Sequence, residues 1–216
     1  MENYKFMQLS GNCACIGYLG KNRLKGPVDN VVTNGSGCIE LLLSGQYYKS
    51  IIQWADKAIV TKRNPNFIGD SEVAYKFKYV QIVHNNPTLP AYQEELQKRY
   101  DTFLSFFEDV KTDRVSYFTI NLNENDVDRL THKLNRGQVL NIIDCLKKYN
   151  ILDKVIFIST QHSLATSWWN FYSSEFNSLA KELGLKHVII TDLDYTENTH
   201  DQFYKKVKEL IRNGIN

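Results

Sequence analysis

The sequence contains few cysteines and no long hydrophobic run. Four cysteines in 216 residues are too few for a disulfide framework, so we expect reduced thiols and a cytoplasmic protein. No apolar run approaches the roughly 18 residues that a membrane-spanning helix needs. The first residues, MENYKFMQLSGNC, lack a basic stretch followed by an apolar one, so no secretory signal is expected.

The sequence also lacks an excess of charge of either sign. Lysine and arginine number 26, and aspartate and glutamate number 24, which gives a net charge of +2. Proteins that bind nucleic acids or membrane surfaces usually carry a basic run or stripe, and the sequence has none. We therefore expect neither a nucleic acid nor a membrane as a partner, and the oligomeric state stays open.

Five short apolar runs alternate with helical patterns along the chain. Several of these runs are nearly continuous in β-branched or aromatic residues, which is typical of strands covered on both faces of a parallel sheet. The predicted strands are Tyr4–Leu9, Tyr79–Val83, Val115–Leu122, Val155–Ser159 and His187–Thr191. Helices are predicted near residues 38–49 and over 91–107, 137–149, 171–183 and 200–212, where apolar residues recur every three or four positions.

This alternation predicts an α/β fold with right-handed crossovers. We expect a three-layer sandwich in which a mostly parallel sheet of about five strands carries helices on both faces. Residues 1–216 are expected to form a single domain, with an irregular helical excursion at about 20–78. Gly184 is expected to end a helix.

Polar residues follow each predicted strand, at the edge where ligands bind in open parallel sheets. In chain order these residues are Asn12 and Cys13, then His84, Asn85 and Asn86, then Asn121, then His162, and finally Asp194 and His200. Three of the five histidines and one cysteine are therefore expected to meet on one rim.

Cys13 follows a predicted strand and a Gly-Asn turn and is expected to open a helix. Backbone N–H groups and the helix dipole would lower the pKa of its thiol there. A thiolate so placed can attack a carbonyl, and neighbouring N–H groups can hold the oxyanion. The alternative is a small buried cysteine that only packs.

His84 is the candidate general base, because an imidazole beside a thiol can take up and return its proton. Asn85 or Asn86 would orient the ring, as an amide does in Cys-His-Asn enzymes. Asp194 with His200 is a second candidate pair, and both sets have purely structural alternatives: a histidine satisfied by backbone, or a helix start at Thr199.

Neither a metal nor a cofactor is expected. Cys13-x-Cys15 has no second ligand pair at zinc-site spacing, and the run Asn34–Gly37 lacks the spacing of a phosphate-binding loop. Trp168 opens an aromatic cluster, WWNFY, which either packs on the core or stacks against a sugar or another ring in a binding site.

Several of these residues also carry a resemblance. The stretches Leu9–Ala14 (LSGNCA) and Gly26–Asn30 (GPVDN) resemble the opening of a bacterial and viral family of unknown function whose members are described as papain-like cysteine peptidases. Those members look like Ser-Leu-Gly-x-x-Cys, a short helix and Pro-Phe-Asp-Trp, followed by a His-Asn-Pro element and a helix with aromatic residues and arginine. His84–Pro87 and the helix that contains Arg99 match that continuation, so the resemblance covers about residues 5–122.

The resemblance implies Cys13 as nucleophile and His84 as base, with Asp29 as a further motif position that orients a partner. The chain departs from the family pattern at Val28, which replaces Phe, at Asn30, which replaces Trp, and in a shortened Gly-Asn-Cys. A papain fold would pair a helical lobe with an antiparallel lobe, whereas the periodicity predicts an α/β sheet.

Together these observations predict a cysteine-dependent hydrolase, peptidase or acyltransferase that acts on a small-molecule, peptide or glycan substrate. The alternative is a non-covalent transferase, or a binding domain, of surface-polysaccharide or cell-envelope synthesis.

Overall fold

The computed structural model describes residues 4–10, 23–29, 31–33, 35–62, 73–82, 85–121, 123–126, 129–133, 136–160, 177–191, 205–206, 208–211 and 213. The strands are β1 (Lys5–Ser10), β2 (Val31–Thr33), β3 (Ile59–Lys62), β4 (Val73–Lys76), β5 (Val80–Ile82), β6 (Ser116–Asn121), β7 (Asn123–Asp126), β8 (Arg129–Lys133), β9 (Val155–Thr160) and β10 (Val188–Thr191). The helices with bounds inside the described ranges are α1 (Gly35–Leu43), α2 (Tyr47–Gln53), α3 (Pro90–Thr112) and α4 (Arg136–Lys148), with short 3₁₀ turns at Ala55–Lys57 and Leu152–Lys154. Residues 177–182, 205–206, 208–211 and 213 are also helical.

A parallel sheet holds four of the five predicted strands. Its order is β1-β6-β9-β10, and every neighbouring pair is parallel. Phe6 pairs with Tyr117 on one edge of β1 and forms an isolated parallel bridge with Arg23 on the other edge. The amide of Leu24 donates to the carbonyl oxygen of Phe6 at 2.8 Å, so the chain near residue 24 runs beside β1.

The remaining predicted strand, Tyr79–Val83, corresponds to β5 and belongs to a different sheet. β5 lies in an antiparallel sheet of order β2-β5-β4-β3, and β7 pairs with β8 in a separate two-stranded sheet. The α/β class is therefore confirmed, but the five-stranded three-layer sandwich is wrong. The segment 20–78, predicted as a helical excursion, contains β2, β3 and β4 as well as α1 and α2.

The two faces of the parallel sheet carry two apolar clusters. Met7, Phe118 and Phe157 face the larger cluster, which also contains buried residues of α1, α3, α4 and the antiparallel sheet. Phe6 and Ile156 face a smaller cluster that includes Ile211. Because successive side chains of a strand point to opposite faces, the continuous apolar runs supply both clusters.

Glycines mark two of the helix ends. The sequence pattern predicts one helix near 38–49, and the structure divides it into α1 and α2 around Gly45, whose φ of +79° is accessible mainly to glycine. Gly184, with φ of +64°, ends the helical residues 177–182 as predicted, and the amide of Leu185 reaches the carbonyl oxygen of Ala180. Within the described ranges, no helix is both long and apolar enough to cross a bilayer.

Candidate functional site

Asp29 is a predicted site residue whose side chain has hydrogen bonds to other residues that the structure describes. It ends a turn in which its amide donates to the carbonyl oxygen of Gly26 at 3.2 Å. Its Oδ2 accepts hydrogen bonds from Nη2 of Arg23 and, at 3.1 Å, from the backbone amide of Gly26. The side chain is 2% exposed, so this carboxylate and its arginine form a nearly buried ion pair.

The two carboxylate oxygens of Asp29 differ in their hydrogen bonding: Oδ2 accepts two hydrogen bonds, whereas Oδ1 accepts none from the described residues. Oδ1 is buried and has no hydrogen-bond partner among the residues that the structure describes. A buried carboxylate oxygen normally accepts a hydrogen bond. Asp29 therefore offers a free acceptor atom beside an oxygen that is already held in place.

The surroundings of Asp29 combine burial with positive charge. Burial raises the pKa of Asp29 above its ordinary value, while the guanidinium groups of Arg23 and Arg99 oppose this shift. Arg99 of α3 also donates from Nη1 to the backbone carbonyl of Asp29 at 3.2 Å. The hydroxyl of Tyr47 donates to the carbonyl of Pro27 at 3.2 Å, so α2 and α3 both fix this turn.

Gly26 allows the turn to lie close to β1. A Cβ atom at this position would come within 3.0 Å of Cγ of Met7 and 3.8 Å of the backbone oxygen of Gln8. A side chain here would therefore crowd the strand that precedes Cys13 in the sequence.

The predicted asparagines have separate environments. Oδ1 of Asn86 accepts from both the amide and the hydroxyl of Thr88, at 3.0 and 2.8 Å, which is an Asx turn leading into α3. That oxygen is thus used in shaping the loop. Asn85 is half-buried beside it, and Asn121 is the last residue of β6.

The other predicted site residues lie outside the described ranges. They are Asn12, Cys13, His84, His162, Trp168, Asp194 and His200. The predicted thiol–imidazole pair, the Asp194–His200 pair and the aromatic cluster thus stay predictions.

Arg23 is the partner that sequence reasoning missed. It lies six positions before Asp29, a spacing that brings two side chains together in neither a helix nor a strand, and the pairing depends on the chain first running along β1. Arg99 could be found, because it lies in the helix that carries the family resemblance.

Comparison with known proteins adds no relative: no family model, no curated protein and no solved structure matches this chain. Among the described residues, no group of three histidine, cysteine, aspartate or glutamate side chains could hold a metal ion.

Proposed function

We propose that the chain is a cysteine-dependent hydrolase or acyltransferase in which Cys13 is the nucleophile, His84 the base and Asp29 the acceptor that orients the imidazole. The observation that carries the proposal is the pairing of β2 with β5. Val31 pairs with Ile82 and Thr33 with Val80, so the strands are antiparallel and the start of β2 lies beside the end of β5. Asp29 precedes the first residue of β2 by two positions and His84 follows the last residue of β5 by two positions, so both belong to the chain segments that meet at this edge of the sheet.

The free oxygen of Asp29 supports this arrangement. In the proposed site, Oδ1 accepts the Nδ1–H of His84, which leaves Nε2 to receive the proton of the thiol. Arg23 and the amide of Gly26 hold the other oxygen, so the carboxylate presents one acceptor in a fixed direction. A buried acceptor of this kind fixes both the tautomer and the orientation of an imidazole.

The order of strands in the parallel sheet supports the position of Cys13. Arg23 bridges to one edge of β1, and β6 pairs with the other edge. The strand that follows β6 in the parallel sheet, β9, lies on the far side of β6 from β1. The connections after β1 and β6 therefore diverge, and ligands in open α/β sheets bind in the crevice formed at such a switch point. Cys13 is three residues beyond Ser10, which ends β1, and Asn121 ends β6.

The proposed reaction uses these groups in two steps. His84 takes the proton of the Cys13 thiol, and the sulfur forms a bond to the substrate carbonyl carbon. The bond to the leaving group breaks, and the imidazolium returns the proton to that group. Water or another acceptor then attacks the thioester with His84 again as base, which releases the acid or the transferred acyl product.

Alkylation of the thiols tests the proposal without a known substrate. Burial raises the pKa of Cys38, and burial together with Glu40 raises the pKa of Cys145 to about 12, so these two described thiols are slow internal references. Mass mapping after iodoacetamide treatment should show Cys13 labelled at least tenfold faster than either reference, with the acceleration persisting below pH 8. The variant His84→Ala should remove the acceleration.

Asp29→Asn should weaken the acceleration while Cys13 remains labelled, and Glu94→Gln, which neutralises an exposed carboxylate on α3, serves as a control that leaves it unchanged. The proposal is wrong if Cys13 reacts no faster in the native protein than in urea, or if His84→Ala leaves its pH profile unaltered.

A further inference from the structure

A cavity lies between α2, the end of α1 and the turn that joins β4 to β5. It has a volume of about 590 Å³, within the range of about 300–1,000 Å³ that is usual for small-molecule pockets. Leu41, Ile51, Ala58, Ile59, Phe77 and Val80 line it together with the rings of Trp54 and Tyr79. Most of its wall is therefore hydrocarbon.

Large apolar side chains remain exposed at this cavity. Trp54 is 47% exposed and Ile59 is 65% exposed, although the protein has a well-filled core in which comparable side chains are buried. Apolar groups left open to solvent around a concave surface indicate a binding site more often than a single exposed side chain does.

The charged side chains at the cavity are all positive, and Ser50 is a neutral polar residue of its lining. Lys57, Lys76 and Lys78 line it, and no acidic side chain is among the described residues of its lining. The Nζ atom of Lys57 lies 4.5 Å from the centroid of the Trp54 ring, and that of Lys78 lies 4.8 Å from the centroid of Tyr79. Ammonium groups thus lie next to the aromatic walls.

One wall of the cavity is held firmly in place. A Cβ atom on Gly37 would lie 2.3 Å from the Tyr79 ring, so this ring packs directly on the backbone of α1. The amide of Phe77 donates to the carbonyl of Val80 at 2.8 Å and closes the turn beneath the ring. This wall of the cavity is therefore held by contacts within the protein itself.

We propose that this cavity binds a fatty acid, with the alkyl chain against Ile51, Trp54 and Phe77 and the carboxylate at the lysines. Each methylene of an alkyl chain that leaves water for an apolar surface favours binding, which suits a hydrocarbon wall. The carboxylate gains charge-assisted hydrogen bonds from the ammonium groups. The concave shape favours a single chain over a membrane surface, and the proposal does not depend on the chemistry at Cys13.

Calorimetric titration of the full chain with sodium decanoate, kept below its micelle-forming concentration, tests this site. We expect saturable binding of one decanoate, and binding of decyltrimethylammonium at least tenfold weaker because its charge is repelled. Lys57→Gln combined with Lys78→Gln should weaken decanoate binding at least tenfold. The matched control is Lys98→Gln with Lys111→Gln on α3, which removes the same charge away from the cavity and should leave binding unchanged.

A second variant separates loss of the site from loss of the fold. Ala58→Phe introduces a ring at a residue that lines the cavity, and we expect weakened binding with a retained cooperative unfolding transition. The proposal is overturned if decanoate fails to bind at millimolar concentration, if the cation binds equally well, or if the protein binds only anionic phospholipid vesicles. Self-association that buries Trp54 and excludes decanoate would also overturn it.

Discussion

At the scale of single residues, the buried charge of Asp29 should matter for stability whatever the function of the chain is. Asp29→Asn keeps the shape and an acceptor oxygen but leaves the guanidinium of Arg23, whose side chain is 14% exposed, without its counter-charge. Removing one partner of a buried pair typically costs about 3 kcal/mol. Urea unfolding at pH 7 should show a loss of this size.

The control for this prediction is Glu94→Gln, which breaks the exposed pair with Lys98 on α3. Such exposed pairs add little to the free energy of unfolding because water and salt screen them, so the loss in this variant should be far smaller than that in Asp29→Asn. If the free energy of unfolding falls equally in the two variants, the Asp29–Arg23 pair is effectively solvated.

His187 should make stability depend on pH in the opposite sense to a salt-bridged histidine. Burial lowers the pKa of its imidazole, which packs edge-on against Tyr117; Asp153 opposes the shift, and Lys186 and Lys154 add to it. The unfolded chain takes up a proton near pH 6.5, while the folded protein does so only at lower pH. Stability is therefore lost as the pH falls below about 6.5, by up to about 1.4 kcal/mol per unit.

Urea unfolding at pH 7.5 and 5.5 measures this effect. His187→Gln removes the titrating group but leaves every carboxylate in place, so its stability should fall less over that interval than that of the parent protein. If both proteins lose the same stability, protonation of His187 is not coupled to folding.

The site shows what residue-level reasoning can reach. The resemblance selects Asp29 through the run Gly26–Asn30, and the structure shows that the side chain is buried, while its catalytic role stays a prediction. Its partner Arg23 was not found, because the contact arises from a bridge between Arg23 and Phe6 that no local pattern encodes. Spacing rules cover helices and hairpins but not a loop that returns along a strand.

At the scale of elements, helix ends that need a left-handed residue should depend on their glycines. Gly184→Ala places a Cβ at φ of +64°, where nothing lies within 4 Å, so the cost is backbone strain alone. We expect a loss of about 1 kcal/mol, and less for Gly184→Asn, since asparagine tolerates this region. Thermal unfolding followed by circular dichroism measures both.

The same substitution in a helix provides the control. Gly137 is the second residue of α4 and is exposed, so Gly137→Ala should not destabilise the protein. A loss at Gly137 as large as that at Gly184 would contradict the assignment of the latter as a helix cap.

The sequence predicted the helices and strands more accurately than it predicted which strands pair with each other. The periodicity gave α4 and the four strands of the parallel sheet close to their observed bounds, whereas α3, predicted over 91–107, extends to Thr112. Tyr79–Val83 was also a real strand, but a short apolar run has the same appearance in parallel and antiparallel sheets. Its partner β2 has only three residues, too few to show an alternation that would reveal the second sheet.

At the scale of the whole molecule, the larger apolar cluster joins the two main sheets. Phe118 of the parallel sheet contacts the rings of Phe103 and Phe106 on α3, and the same cluster contains Val31, Val80 and Ile82 of the antiparallel sheet. Shared burial of this kind makes the sheets unfold together rather than as separate units.

Phe118→Leu tests this coupling, because Phe118 is fully buried in the parallel sheet while Trp54 lies beside the antiparallel one. The smaller side chain should cost roughly 1–2 kcal/mol. In a background of Trp168→Phe and Trp169→Phe, the fluorescence of Trp54 and the far-ultraviolet circular dichroism should report the same shifted urea midpoint. A circular dichroism midpoint that moves while the Trp54 midpoint stays would show two independent folding units, because only a shared core transmits a cavity at Phe118 to the surroundings of Trp54.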